Sequence, residues 1–160
     1  MGHMVVRAGG EPCRCGSRGC LEAYASGRAL ERLARNLAHE GAPGSRALAE
    51  LAVRDELDGE AVGRLAQQGD PGALAAVEEV GRWLGVGLGS LVNIFNPEMI
   101  VVGGGLGTLG ELVLGPARPV MIQTGLSPNK DAVRVVPAAL GNKAGALGAG
   151  LLAWEELGGC

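Results

Sequence analysis

Pro12-Cys13-Arg14-Cys15-Gly16-Ser17-Arg18-Gly19-Cys20 is the stretch on which the fold of this chain turns. It holds three of the four cysteines. Cysteines two positions apart project to opposite faces of a strand. They converge only where the chain wraps around something, and Gly16 and Gly19 supply the bends. In a cytosolic chain such a cluster reads as a metal site rather than a disulfide framework. Structural zinc takes four thiolate or imidazole ligands in a tetrahedron, so three cysteines leave one position open. His3 and Cys160 are the two residues that could fill it. Met1-Gly2-His3-Met4 is also what a cloning scar leaves, so the residues alone leave His3 open between ligand and remnant. The spacing Cys-x-Cys-x4-Cys differs from the paired CxxC knuckle, and generic zinc-finger logic does not apply to it.

Working outward, the 160 residues are 47% hydrophobic and 19% charged, enough for a packed core in one domain or one lobe of a larger enzyme. Glycine is abundant, at 29 residues, while aromatics make up 2%. That combination favours tight backbone contacts and argues against stacking platforms for single-stranded nucleic acid. A net charge of -3 and a pI near 5.4 give no basic footprint for DNA or RNA. The longest uncharged apolar stretch, Trp83 to Phe95, is shorter than the roughly 20 residues that span a bilayer, and glycines interrupt it. It reads as a buried helix. The N-terminus has no apolar h-region, so the chain reads as cytoplasmic, with no membrane partner.

The remaining pattern is α/β. Met4 to Arg7 reads as a short strand before the metal loop. Leu21 to about Leu37 reads as an amphipathic helix with Leu30, Leu33, Ala34 and Leu37 inward. His39, at its end, reads as solvated. Arg46 to Leu51 is a short helix, Asp58 caps the next, and Asp70-Pro71 opens a long one that runs to about Phe95. Gly81, Gly85 and Gly89 form a small-residue stripe along it, which reads as core packing. Met99 to Val102 reads as a strand buried on both faces. A helix follows from near Thr108, then a helical stretch from Leu109 to Ile122 broken at Pro116 and Pro119. Ala132 to Pro137 reads as a second strand. Gly141 to Ala149 opens a last helix, whose small residues suit close packing on a sheet. Lys143 reads as solvated.

Gly103, Gly104 and Gly105 follow the first strand, where a glycine-rich turn presents unobstructed backbone N–H groups to a nucleotide. Gly105-x-Gly107-x-x-Gly110 also spells the dinucleotide fingerprint. That fingerprint wants an acidic residue about 20 positions on, at the end of the next strand. Thr124 to Asn129 offers none, and Asp131 precedes the strand, so the dinucleotide reading is set aside.

His3 followed by Cys13-x-Cys15-Gly16-x-x-Gly19-Cys20-x-Glu22 resembles the signature of the ROK family of repressors and sugar kinases. Leu21 to Gly27 resembles its glucokinase branch. Asn96-Pro97-x-x-Ile100-Val101-x-Gly103-Gly104-Gly105 and the Ala-Gly-x-x-Gly-Ala element at 144–149 are similar to two more of its segments. The resemblance runs from His3 to about Leu152. It implies an actin-like ATPase, ribonuclease-H-like α/β fold, of which this chain is the C-terminal lobe with a zinc-bound loop (3–20) and glycine elements at 96–107 and 141–150. It makes His3 native, makes His3, Cys13, Cys15 and Cys20 the ligands of a structural zinc, and leaves Cys160 a free thiol. It places His3 and Glu22 at the sugar, and Gly103, Gly104 and Gly105 beside the nucleotide. Without it, Glu22 reads as a first-turn acid favoured by a helix dipole.

The implied activity is transfer of the γ-phosphoryl group of ATP, with magnesium, to the 6-hydroxyl of glucose, in a full-length homodimer. The family's Asp-x-Gly-x-Thr phosphate loop and its Asn-Asp pair, which supplies the catalytic base, have no counterpart in the sequence. The N-terminal lobe is therefore read as absent, no catalytic residue is assigned, and the fragment alone is expected to be inactive. Two other readings compete: a sugar-sensing regulator without its DNA-binding domain, and a non-catalytic zinc-stabilised interaction domain.

Overall fold

Helix α4 (Pro71–Phe95) is the spine of the computed structural model, which describes residues 1–158. Cys160 lies outside the described residues. The Asp70 side chain accepts a hydrogen bond from the Ala73 N–H, and Pro71 sits where no helical donor is needed. Asn96 ends the helix in a left-handed conformation, φ 44°. Val77, Val80, Leu84, Leu88 and Val92 run buried along its length.

Around α4 stand α1 (Gly27–His39), α2 (Arg46–Val53) and α3 (Gly59–Gln67). Beyond it come β1 (Met99–Val102), α5 (Gly104–Gly107), α6 (Glu111–Thr124), α7 (Asn129–Ala132), β2 (Arg134–Pro137) and α8 (Ala144–Glu156). β1 and β2 pair in parallel, Met99 opposite Arg134 and Val102 opposite Pro137. α6 is the crossover between them and makes the largest helix–helix contact in the fold, against α4. The glycine stripe explains that contact. A Cβ at Gly81 would meet the Val113 carbonyl oxygen and the Pro116 ring at 2.6 Å, and one at Gly85 would strike the Ala117 carbonyl. The stripe is therefore filled by α6 from within the chain, as core packing.

Several sequence expectations need correction. The strand expected at Met4–Arg7 reduces to one antiparallel bridge, Val5 to Cys20, because Gly19 caps both Val6 and Arg7 N–H groups on a single carbonyl. The helix expected from Leu21 is a 3-10 turn (Leu21–Ala23) and then α1. Ser26, whose hydroxyl accepts from the Ala29 N–H, starts the true helix. β1 is not buried on both faces, since Met99 and Val101 are 41% and 57% exposed. The helix placed near Thr108 resolves into α5 and, after a turn, α6. Pro116 and Pro119 do not break α6, which runs through both. For Pro116 the cost of the missing N–H group is offset on the packed side, where its ring seats on Gly81. The second strand starts at Arg134, because Ala132 ends α7. The last helix follows a 3-10 turn (Gly141–Lys143), and among the described residues it buries none, so the close packing on a sheet expected of its small residues is not found. No described helix is long and apolar enough to cross a membrane.

Candidate functional site

Backbone pairing brings the N-terminus to the metal loop. Leu21 N–H donates to the Met4 carbonyl and Glu22 N–H to the Gly2 carbonyl, each at 2.8 Å, which holds His3 beside Cys20 and Glu22. Within the loop, Cys13 N–H bonds the Ser17 carbonyl and Gly16 N–H the Cys13 carbonyl. This small turn reverses the chain between Cys13 and Cys20. Gly16 and Gly19 both carry positive φ, 87° and 79°.

The loop is then fastened to the core. Tyr24 is buried, its hydroxyl accepts from the Glu11 N–H at 2.7 Å, and its ring lies 4.4 Å from that of Trp83 on α4. Leu21 packs on Gly87, where a Cβ would meet it at 2.5 Å. One face of α4 thus uses glycine to admit α6, and another uses it to seat the metal loop.

The four sequence-assigned ligands converge. The ligand atoms of His3, Cys13, Cys15 and Cys20 all lie within 4.8 Å of one another. The His3 Nδ1 is 3.5 Å from the Cys13 Sγ, and the Cys15 and Cys20 sulfurs are 3.6 Å apart. Zinc bonds of about 2.3 Å to sulfur and 2.0–2.1 Å to nitrogen give tetrahedron edges of about 3.8 and 3.6 Å, so donor set and spacing fit that ion. The thiols differ in character. Hydrogen bonding by the Ser17 N–H, then by the Cys13 and Cys20 thiols, lowers the pKa of Cys15. Burial, then the neighbouring thiols, pushes Cys20 up to about 11. Without a cation between them, Cys20 keeps its proton; a bound metal is what makes a cluster of thiolates tenable.

His3 presents its other nitrogen, Nε2, to the Glu22 carboxylate at 3.6 Å. A carboxylate behind a ligating imidazole fixes the ring and its tautomer. Glu22 also borders a cleft of about 720 Å³ that reaches the glycine turn, where Gly105, Thr108 and Leu109 form the far wall. Glu22 is thus shared between the cysteine–histidine cluster and the cleft. Gly103 caps α5, Gly104 takes φ 72°, and a Cβ at Gly104 or Gly105 would meet nothing within 4 Å, so this backbone stands open. The close approach falls one turn later, at Gly107, where a Cβ would lie 2.5 Å from the Val102 carbonyl oxygen.

Sequence reading missed the near wall of the cleft. Arg28 at the start of α1 and Arg64 on α3 line it. The two helix starts touch, with the Gly27 carbonyl oxygen 2.5 Å from where a Gly59 Cβ would be. The signal available was Asp58-Gly59 (a cap followed by a residue with no side chain), but nothing in the sequence says that it abuts Gly27. Lys143 is exposed, and His39 ends α1 exposed.

A parallel α/β unit with a cysteine–histidine loop opening on a glycine-lined cleft is the class these features define. The chain belongs to the ROK family, whose profile matches residues 1–156. It is 40% identical over 157 residues to a glucokinase of Streptomyces coelicolor, covering 96% of this chain and 50% of that one. It is 36% identical over 123 residues to a xylose repressor of Caldicellulosiruptor bescii, covering 77% of this chain and 30% of the repressor. Among solved structures, it is similar to a ROK family glucokinase from Streptomyces griseus in complex with glucose and AMPPNP. That match has 39% identity and a TM-score of 0.81, and covers 94% of this chain and 49% of that one. The chain spans about half the length of the glucokinases it matches. Its fold is that of the ROK sugar kinases.

Proposed function

We propose that this chain is the C-terminal lobe of an ATP-dependent glucokinase, one that holds a structural zinc and supplies one wall of the sugar site and much of the nucleotide wall. The observation that carries the reading is Glu22, set between the His3 ring and the cleft that Gly105 lines. A carboxylate there accepts from two sugar hydroxyls at once and rejects sugars that misplace them. His3 meets the sugar with the same ring that joins the zinc cluster. Cys13, Cys15 and Cys20 complete the zinc ligands, and zinc fixes the shape of the loop. Gly103, Gly104 and Gly105 leave backbone N–H groups open to ATP, which arrives as its magnesium complex.

In the reaction, the glucose 6-hydroxyl oxygen bonds to the γ-phosphorus and the bond to the β–γ bridging oxygen breaks. ADP leaves, and the hydroxyl proton passes to a carboxylate base. That base belongs to the lobe whose motifs this sequence does not contain. The sequence similarity to a xylose repressor supports a second reading, in which the same Glu22 and His3 sense a sugar without chemistry.

Calorimetric titration of the zinc-loaded chain with glucose and xylose tests both. The expected result is glucose binding that weakens at least about 10-fold in E22Q, the scale of one lost charge-assisted hydrogen bond. AMPPNP binding should be retained in that variant. Unchanged glucose affinity in E22Q would overturn the sugar role of Glu22. Preference for xylose with no AMPPNP binding would favour the sensor reading.

A further inference from the structure

Tyr24 is the one tyrosine of the sequence, and it is buried. Its ring lies tilted on that of Trp83 in α4. Trp83 is held in turn, because its indole N–H donates to the Glu79 carboxylate at 3.0 Å. At the far end of this stack the Tyr24 hydroxyl accepts the Glu11 N–H at 2.7 Å. The segment it meets is shaped to receive it. A Cβ at Gly10 would fall on the hydroxyl oxygen, so the hydroxyl takes the space where any other residue would carry its side chain. The Glu11 carbonyl accepts from the Gly19 N–H at 2.8 Å, so both backbone groups of Glu11 are engaged. Its carboxylate is 3.9 Å from the Arg32 guanidinium, but both side chains are more than a third exposed and that pair contributes little.

Glu11 stands two residues before Cys13, and the contacts that follow close a ring. Cys13 meets His3, His3 meets Glu22, and Glu22 stands two residues before Tyr24. The cysteine–histidine loop is therefore joined to the body of the chain at two places. One is backbone, where Leu21 and Glu22 bond to Met4 and Gly2. The other is the Tyr24 hydroxyl. A loop joined only at the first could swing about it, and the second contact sets its angle. Metal bonds tie the four ligands to one another but not to the cleft; that is left to the groups behind them.

We infer that Tyr24 is a positioning residue for the sugar site: its hydroxyl sets the angle at which the cluster, and with it the His3 ring, faces Glu22 and the cleft. Tyr24 does not itself line that cleft. The inference deepens the sugar-site reading above and rests on it for the roles of His3 and Glu22.

The test loads the chain with cobalt(II), another divalent ion for nitrogen and sulfur ligands. Absorption of the cobalt centre reports its ligand set. Pseudocontact shifts at the amides of α1 and α4 report where the metal sits relative to the core. Y24F keeps the ring on Trp83 and deletes the hydroxyl. G10A keeps the hydroxyl and fills its place. In both variants the absorption spectrum, and the hydrogen-exchange protection of α4 and α6, should match the parent chain. The pseudocontact shifts should shrink, as the metal samples a range of positions. Glucose affinity of the zinc-loaded Y24F chain should fall about 5-fold, the scale of one net hydrogen bond. Pseudocontact shifts in Y24F that match the parent chain's overturn the inference. So does a glucose affinity that stays at the parent value once the shifts have moved. A changed cobalt spectrum in Y24F overturns it too, because Tyr24 would then support the metal site itself. If the parent chain binds no glucose, the sugar reading falls on its own, and the pseudocontact shifts still decide whether Tyr24 sets the cluster.

Discussion

Gly19 shows how little freedom the metal loop has. Its φ is 79°, and a Cβ there would run into the Arg7 carbonyl. Both the conformation and the space exclude a side chain. G19A is expected to cost at least the roughly 1–2 kcal/mol of a left-handed residue, and to loosen the hairpin that brings His3 to the cysteines. A lower melting temperature together with faster zinc loss to a chromophoric chelator checks this; an unchanged zinc off-rate would show that the cluster does not depend on the hairpin. Arg118 offers a residue-scale test away from the site. It pairs with Glu111 through two hydrogen bonds and also donates to the Val135 carbonyl at 3.2 Å, tying α6 to β2. The hydrogen bond from Arg118 holds the Glu111 carboxyl below the usual carboxylate range. A depressed carboxylate stabilises the fold above its unfolded pKa, about 4.3, and that contribution fades as pH falls through its lower folded value. E111Q should therefore lower the melting temperature slightly at pH 7. The difference should close at acid pH, below the folded value. The effect is small because Glu111 is 69% exposed.

At the scale of elements, glycine has opposite meanings in α4 and α8, and alanine substitution separates them. G85A would push a methyl against the Ala117 carbonyl and to 2.7 Å from the Val120 Cβ. It should destabilise the chain by about 1–3 kcal/mol in denaturant unfolding, as overpacking does. G148A faces open space. In the isolated chain it should cost nothing and raise α8 helicity by up to about 1 kcal/mol, visible in far-ultraviolet circular dichroism. Helices whose start is written in adjacent residues were legible in the sequence. Asp58 and Asp70 cap as read, each accepting from the N–H three residues on. The first helix starts later than expected because the 3-10 turn Leu21–Ala23 ends at Tyr24 and Ser26, accepting from the Ala29 N–H, caps a separate helix. α6 was misread for a different reason. Its prolines are helix breakers in isolation, and only the tertiary contact of Pro116 with Gly81 tells otherwise. The apolar run of β1 correctly marked a strand, yet Met99 and Val101 lie bare within this chain.

For the whole molecule, the cluster was legible because a metal loop is a local object. Its candidate ligands lie within 18 residues of one another, and the turns at Gly16 and Gly19 bring the cysteines to one point. The cleft was not, since it exists only where the starts of α1 and α3 face the turn after β1, three segments far apart in sequence. That division also shapes the expected activity. Glu22 stands beside His3, and the Asp58 carboxylate is engaged by the Ala61 N–H at 2.7 Å. The sequence has neither the phosphate-loop motif nor the Asn-Asp pair of the kinases it resembles. A positioned base is worth about 10²–10⁴-fold in such a transfer, and positioning of the phosphates adds more. The zinc-loaded chain should therefore bind glucose yet release no ADP above background in a coupled assay, while a chimera in which the unmatched part of the Streptomyces griseus glucokinase precedes it turns over. E22Q in the chimera should lower kcat/KM for glucose by about 10-fold or more. Zinc-dependent phosphorylation of glucose by these 160 residues alone would sink this assignment of labour and place a base within the cleft described above.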